Sequence, residues 1–160
     1  MPKTPSSWPD DVLPCDPRLP AEALAYRRSE GLTSDLLLGS INITAWLFRD
    51  RNGQTNVKVN PNVTIKEIVK EFGRAETPDA EVGLHSEMLA AKWFRQQRGL
   101  QVLQVFSERI PPCPAMCAPM LKHYYPGIAW YYYYNPRSLK NEQGGIVRRA
   151  AAVLKPAYGI

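Results

Sequence analysis

Gly83-Leu84-His85-Ser86-Glu87-Met88-Leu89-Ala90-Ala91-Lys92-Trp93-Phe94 and, after a short gap, Ser107-Glu108-Arg109-Ile110-Pro111-Pro112-Cys113-Pro114-Ala115-Met116-Cys117 form the stretch around which this chain is organised. In its first half Leu89, Trp93 and Gln96 recur at helical spacing, as do Leu84, Met88 and Ala91. These residues read as the core face of a helix that runs to about Gln97 and ends before Gly99. Residues 100–106 are apolar and strand-like. Pro114 suits the first position of a second helix, which makes Cys113 its cap, puts Cys117 one turn in and takes the helix to about Tyr125, before Pro126-Gly127. The stretch is therefore predicted to be helix, strand, helix.

The flanking elements follow the same rules. Residues 20–28 read as a first helix, with Pro20 at its start and Gly31 as its stop. In residues 40–48, Ile41, Ile43, Ala45 and Leu47 alternate with Asn42, Thr44, Trp46 and Phe48, the period of a strand. Asn52-Gly53 marks a hairpin, and residues 55–60 return with Val57 and Val59 on one face. Residues 65–72 resemble a short amphipathic helix, and 73–82 a polar loop. Residues 128–134 form another apolar strand, and 146–155 a basic helix stopped by Pro156. Residues 1–19, rich in Pro with Ser and Asp, read as a linker or extended arm rather than a packed element, leaving 20–160 as the domain. The order predicts an α/β fold, one mixed β-sheet covered by helices in a single domain.

Composition narrows the class. The chain has 160 residues, enough to bury a core, and 44% are hydrophobic, ordinary for a globular domain. A net charge of +5 favours a polyanionic partner over an acidic protein surface. Three cysteines make no disulfide framework, which points to a reducing workplace. Residues 1–5 lead into no apolar signal core, and no run reaches transmembrane length, so no membrane association is expected.

A His-x-Glu followed by a Pro-Cys with a second Cys close behind resembles the signature of the zinc-dependent nucleic-acid deaminase superfamily. The resemblance implies a cytidine-deaminase-like sheet, with His85, Cys113 and Cys117 as ligands of one Zn2+ and Glu87 as the proton-shuttling catalytic residue. An imidazole and two thiolates suit a tetrahedral zinc with one position open to water, whose pKa the metal lowers. Residues two apart on a helix flank point in nearly opposite directions, so His85 and Glu87 can share a site only if the helix end faces it. Competing readings are two buried thiols, a strained disulfide, or a structural zinc. The last would want a fourth protein ligand, and Cys15 and His123 are poorly placed for that role.

Over residues 20–160 the chain looks most like the deaminases at the C-termini of bacterial polymorphic toxins, in the branch acting on single-stranded DNA; the run from Ser107 to Cys113 carries that likeness. The resemblance implies conversion of cytosine to uracil, secretion as an effector, action in the cytoplasm of a target bacterial cell, and a cognate immunity protein. Two departures stand out. Three residues separate the cysteines where the signature has two, although i and i+4 still share a helix face. The family's fifth strand is not evident after Tyr134; it falls within 138–150 or inside the last helix.

Substrate contacts are less sharply marked. Asn60, at the end of the second strand, matches a pocket position whose amide would bond the target nucleotide; its other reading is a turn residue before Pro61. In Trp130-Tyr131-Tyr132-Tyr133-Tyr134 alternate rings face opposite ways. One set is core, and the other, with Trp130 and Tyr132 as candidates, offers stacking surface for bases or for the immunity protein. Arg109, Lys122, Arg148 and Arg149 are candidate phosphate contacts or simply a solvated basic face. Alternative functions are deamination of RNA, duplex DNA or free nucleotides, and a zinc-stabilised nucleic-acid-binding module without turnover. Glu87 separates the last from an enzyme, because a binding module has no use for a carboxylate beside an open zinc.

Overall fold

The computed structural model describes residues 3–8, 13–61, 86–109, 125, 127–135 and 145–160. Among these, the elements in chain order are β1 (Ser6–Trp8), α1 (Arg18–Ser29), α2 (Asp35–Ser40), β2 (Ile43–Arg49), β3 (Thr55–Pro61), α3 (Ser86–Gln96), β4 (Gln101–Arg109), β5 (Trp130–Tyr134) and α4 (Gly145–Tyr158). The strands form one five-stranded sheet in the order β1-β5-β4-β2-β3. Only β4 and β5 pair in parallel; every other neighbour is antiparallel. The α/β class and the mixed, helix-covered sheet are as the residue pattern requires. No described helix is long and apolar enough to cross a membrane.

β2 is an interior strand, between β4 and β3, and is buried on both faces. Its alternation sorts the side chains between two cores. Ile43, Ala45 and Leu47 join Leu19, Leu38, Phe106, Tyr131, Ala150 and Leu154 in the layer under α1, α2 and α4. Trp46 and Phe48 join Ala90, Ala91, Phe94, Val105 and Trp130 under α3. Burying both faces of one strand withdraws its apolar area from water twice over, which makes it the spine of the fold.

The hairpin between β2 and β3 is fixed by one side chain. Asp50 Oδ1 accepts from the backbone N–H of Asn52 (2.9 Å) and Gln54 (3.0 Å), and Oδ2 accepts from Asn56 Nδ2 (2.9 Å). The Gln54 amide first, then the others, hold the Asp50 carboxyl below its ordinary range. Gly53 takes φ 81°, which an L side chain resists, so the Asn-Gly reading is correct for a physical reason.

Three features differ from the local pattern. First, residues 1–19 are not wholly outside the packed domain. Ser6, Ser7 and Trp8 pair antiparallel with Tyr132, Tyr131 and Trp130, sealing the β5 edge. Gln104 pins the following residues, accepting from Asp16 N (2.8 Å) and donating to the Pro14 carbonyl (3.2 Å), while the Tyr131 hydroxyl donates to the Leu13 carbonyl. α1 also starts at Arg18, before Pro20. The sheet position next to β5 is thus taken by the N-terminus, and 145–158 is helical rather than a fifth strand.

Second, α4 does not stop at Pro156 but continues to Tyr158. A proline so near the end forfeits one intrahelical bond, and burial of Ala157 and Tyr158 offsets the loss. The helix then closes with Ile160 N–H on the Lys155 carbonyl (2.9 Å) and Gly159 at φ 73°. Third, α2 is an additional short helix, capped by Ser34 Oγ, which accepts from Leu37 N–H (3.3 Å). It lies against α4 at Gly39, where there is no room for a side chain. The expected helix at 65–72, the loop at 73–82 and residues 113–124 of the helix expected to run to about Tyr125 lie outside the described residues.

Candidate active site

α3 positions the site. Phe94 stacks on Trp46 at 5.2 Å and meets Phe48 edge-on at 5.2 Å, and Trp93 meets Phe48 at 6.0 Å. These contacts hold the end of the helix over the apolar half of the sheet face. The short link 97–100, with Gly99 at φ 79°, turns the chain straight into β4. α3 therefore runs antiparallel to β4, and its first turn, which carries Glu87, lies toward the carboxyl end of that strand.

At that end the sheet face changes character. Register puts Thr44 opposite Asn60 on one side and Ser107 on the other, with Tyr132 beside Ser107 and Arg109 beside Tyr134. Directly paired residues share a face, so Thr44, Asn60, Ser107, Tyr132 and Arg109 continue the face of Trp46 and Phe48. Asn42 ties the floor together: its Nδ2 donates to Ser107 Oγ (3.1 Å), and its Oδ1 accepts from Arg109 N–H (3.3 Å). The Thr44 hydroxyl donates to the Asn60 carbonyl (3.3 Å).

Two side-chain atoms of this floor are buried with no hydrogen-bond partner among the described residues, Asn60 Oδ1 and Arg109 Nε. A buried polar atom without a partner costs about 1–3 kcal/mol, so each is a position where a polar group brought to this face would be stabilising. Arg109 also hydrogen bonds the Tyr134 phenol; burial raises that phenol's pKa, and the guanidinium pulls it partly back.

The sequence-derived residues distribute as follows. Asn60 on β3 and Arg109 on β4 lie on the same polar face with β2 between them, and half-buried Tyr132 stands beside Ser107. Trp130 is 2% exposed and lies edge-on to Trp46 at 6.2 Å, so its ring is spent on packing and presents no face to a base. Glu87 is placed by its backbone in the first turn of α3. His85, Cys113 and Cys117 lie outside the described residues, as does Lys122. Among the described residues no three His, Cys, Asp or Glu side chains gather at metal-binding distance. Arg148 and Arg149 lie on α4, in the layer on the other side of the sheet from α3. Local pattern missed Thr44, Asn42 and Ser107; the polar members of an otherwise apolar alternation were the available signal.

No protein-family model, curated protein or solved structure matches this chain.

Proposed function

We propose that this domain is a zinc-dependent deaminase of the cytidine-deaminase-like fold, converting cytosine to uracil in single-stranded DNA. In this reading it is an interbacterial mutagenic toxin domain, acting in the cytoplasm of a target bacterial cell and held in check in the producer by an immunity protein. The observation that supports the reading is the polar sheet face carrying Asn60 and Arg109, on the side of the sheet that α3 covers, where Asn60 Oδ1 and Arg109 Nε are buried and lack partners among the described residues. α3 carries Glu87 of the His-x-Glu half of the signature in its first turn, and this reading takes that residue as the proton-transfer group for a base held on the polar face.

The donor set fits zinc: one imidazole, His85, and two sulfurs, Cys113 and Cys117. When bound, the metal would supply a water acidic enough to ionise near neutral pH. Glu87 would take one proton of the attacking water and deliver it to the ring nitrogen N3, then carry the remaining hydroxyl proton from C4 to the amino group, so that the C4–N bond breaks, ammonia leaves and the C4 carbonyl of uracil forms. Asn60 accepts a hydrogen bond from the target nucleotide, and Arg109 orients it from the β4 end. Tyr132 borders the pocket and offers a ring to a neighbouring base. A single strand suits such a site because its bases need not be pulled from a duplex.

The test is direct. Zinc-loaded protein is incubated with single- and double-stranded oligonucleotides of the same sequence, followed by a uracil-excising enzyme and alkali. Cleavage at cytosines of the single strand is the expected result. Intact oligonucleotides in both arms, with no cytosine-to-uracil change in RNA sequenced in parallel, would refute the proposal.

A further inference from the structure

The other pole of the sheet, at the β2–β3 hairpin and the end of α3, collects cations from separate parts of the chain. Arg49 ends β2, Arg51 lies in the hairpin, Lys58 is on β3, Arg95 is in the last turn of α3 and Arg98 follows it. Side-chain contacts tie Arg51 directly to the Arg98 segment, while Arg49 and Lys58 emerge from β2 and β3 on opposite faces of the sheet at the same pole. Arg51 Nε donates to the Arg98 carbonyl (2.5 Å), and its side chain crosses Gly99. Arg49 Nη1 donates to Gln101 Oε1 (3.4 Å), and Lys58 Nζ sits 5.1 Å from the centre of the Trp93 ring. The four arginines are exposed and Lys58 is half-buried.

Among the described residues, Arg49, Arg51, Lys58 and Arg98 form no ion pair with a carboxylate. The one acid of the hairpin, Asp50, spends its oxygens on the turn. Exposed cations gathered at one pole of the sheet without carboxylate partners among the described residues raise the local positive potential, which fits a polyanion. We propose that this pole is a second docking surface, separate from the pocket, for the phosphate backbone of a single-stranded nucleic acid. The strand runs from the first turn of α3 along that helix to the pole, a path of about 15 Å at 1.5 Å per residue.

Lipid is the weaker occupant. Membrane-surface binding adds apolar insertion to charge, and among the described residues the exposed large apolar side chains, Leu13, Leu36, Val147 and Ile160, all belong to other elements than those of the pole. Lys58 over the half-buried Trp93 ring instead sets an aromatic among the cations of this pole.

That the polyanion is a single strand rests on the proposed function; the surface itself does not. The test uses the full chain with Arg49→Gln, Arg51→Gln and Arg98→Gln combined, and a second variant with Lys58→Gln and Arg95→Gln, each first shown to keep the wild-type urea midpoint. Fluorescence anisotropy is read with labelled single strands of about 4 and about 16 nucleotides over a salt series. The triple variant should lose affinity for the long strand only, its log–log salt slope falling by about 2, at about 0.7 per phosphate contact removed. The double variant should lose roughly two-thirds as much slope. Deamination of the short strand should stay at the wild-type level. Variants that bind the long strand as wild type does would overturn the proposal, as would loss of binding to phosphatidylserine vesicles with oligonucleotide affinity intact. Loss of long-strand affinity in a protein that deaminates nothing would sustain the surface and sink the deaminase reading alone.

Discussion

The Arg27 guanidinium and the Glu108 carboxylate meet side by side inside the core, Nε to Oε2 at 2.7 Å and Nη2 to Oε1 at 2.6 Å, with neither side chain exposed. The remaining Arg27 donors reach the carbonyls of Leu32 (2.7 Å), Leu37 (3.3 Å), Leu38 (3.5 Å) and Ile41 (2.5 Å). Glu108 also accepts from Ile43 N–H (2.9 Å) and from the Tyr158 hydroxyl (2.6 Å). One ion pair thereby ties α1, the turn into α2, the start of β2, the end of β4 and the end of α4. Glu108 immediately precedes Arg109, so the same knot holds one wall of the candidate site.

Breaking that pair from one side should be severe. Glu108→Gln leaves a buried cation without its counter-ion and is expected to cost about 3–5 kcal/mol. The paired change Arg27→Met with Glu108→Leu should cost clearly less than the sum of the two single changes, because no charge is stranded. Urea unfolding of the three proteins measures this; additive losses would contradict it.

Alkali should weaken the fold from about pH 9 upward. Burial pushes the Cys15 thiol from its ordinary 9.0 up to about 12, and the Tyr133 phenol from 10.0 up to about 12. Burial, then the Glu108 carboxylate, raises Tyr158 well above its ordinary value. Each group holds its proton more tightly folded than unfolded. Their contribution is therefore complete below the unfolded values and is lost as pH rises through the folded ones. Melting temperatures should be level to pH 9 and fall between 9 and 12, and Cys15→Ala should remove the earliest part of the fall. A level profile to pH 12 would contradict these assignments.

Gly39 sets how closely α2 approaches α4. A methyl group there would lie 2.6 Å from both the carbonyl carbon and Cγ1 of Val147. Although alanine is the better helix former, Gly39→Ala should destabilise by about 1–3 kcal/mol, because the two backbones must separate. A urea midpoint equal to or above wild type would show that the contact yields freely.

Two substitutions separate chemistry from folding at the candidate site. Glu87→Gln should keep one zinc per chain by elemental analysis, retain the melting temperature, and lower uracil formation by about 100-fold or more. Asn60→Ala removes an acceptor that has no partner among the described residues, so stability should hold while turnover drops roughly fivefold, the worth of about 1 kcal/mol. Retained turnover in the Glu87 variant would remove the proton-transfer role. A large stability loss in the Asn60 variant would make it a structural residue.

Local sequence by itself determined the interior strand β2, the hairpin and α3. Alternation through Ile43, Thr44, Ala45, Trp46, Leu47 and Phe48, the Asn-Gly turn and the helical recurrence of Leu89 and Trp93 are signals carried within one element. The His-x-Glu and Cys113/Cys117 pattern is legible in the same way, as chemistry written at fixed spacing. Tertiary structure alone decided the rest. Strand β1 pairs with a partner more than a hundred residues away, Trp130 is consumed by Trp46, and α4 passes Pro156 because Tyr158 has Glu108 to reach. The burial of Arg27 and the gathering of Arg49, Arg51 and Arg98 on one pole are likewise invisible in the chain's order. The physical reason is common to them all. Hydrophobic period and turn preference act over a few neighbouring residues, whereas hydrogen-bond and charge partners are chosen by which surfaces the packed layers bring face to face.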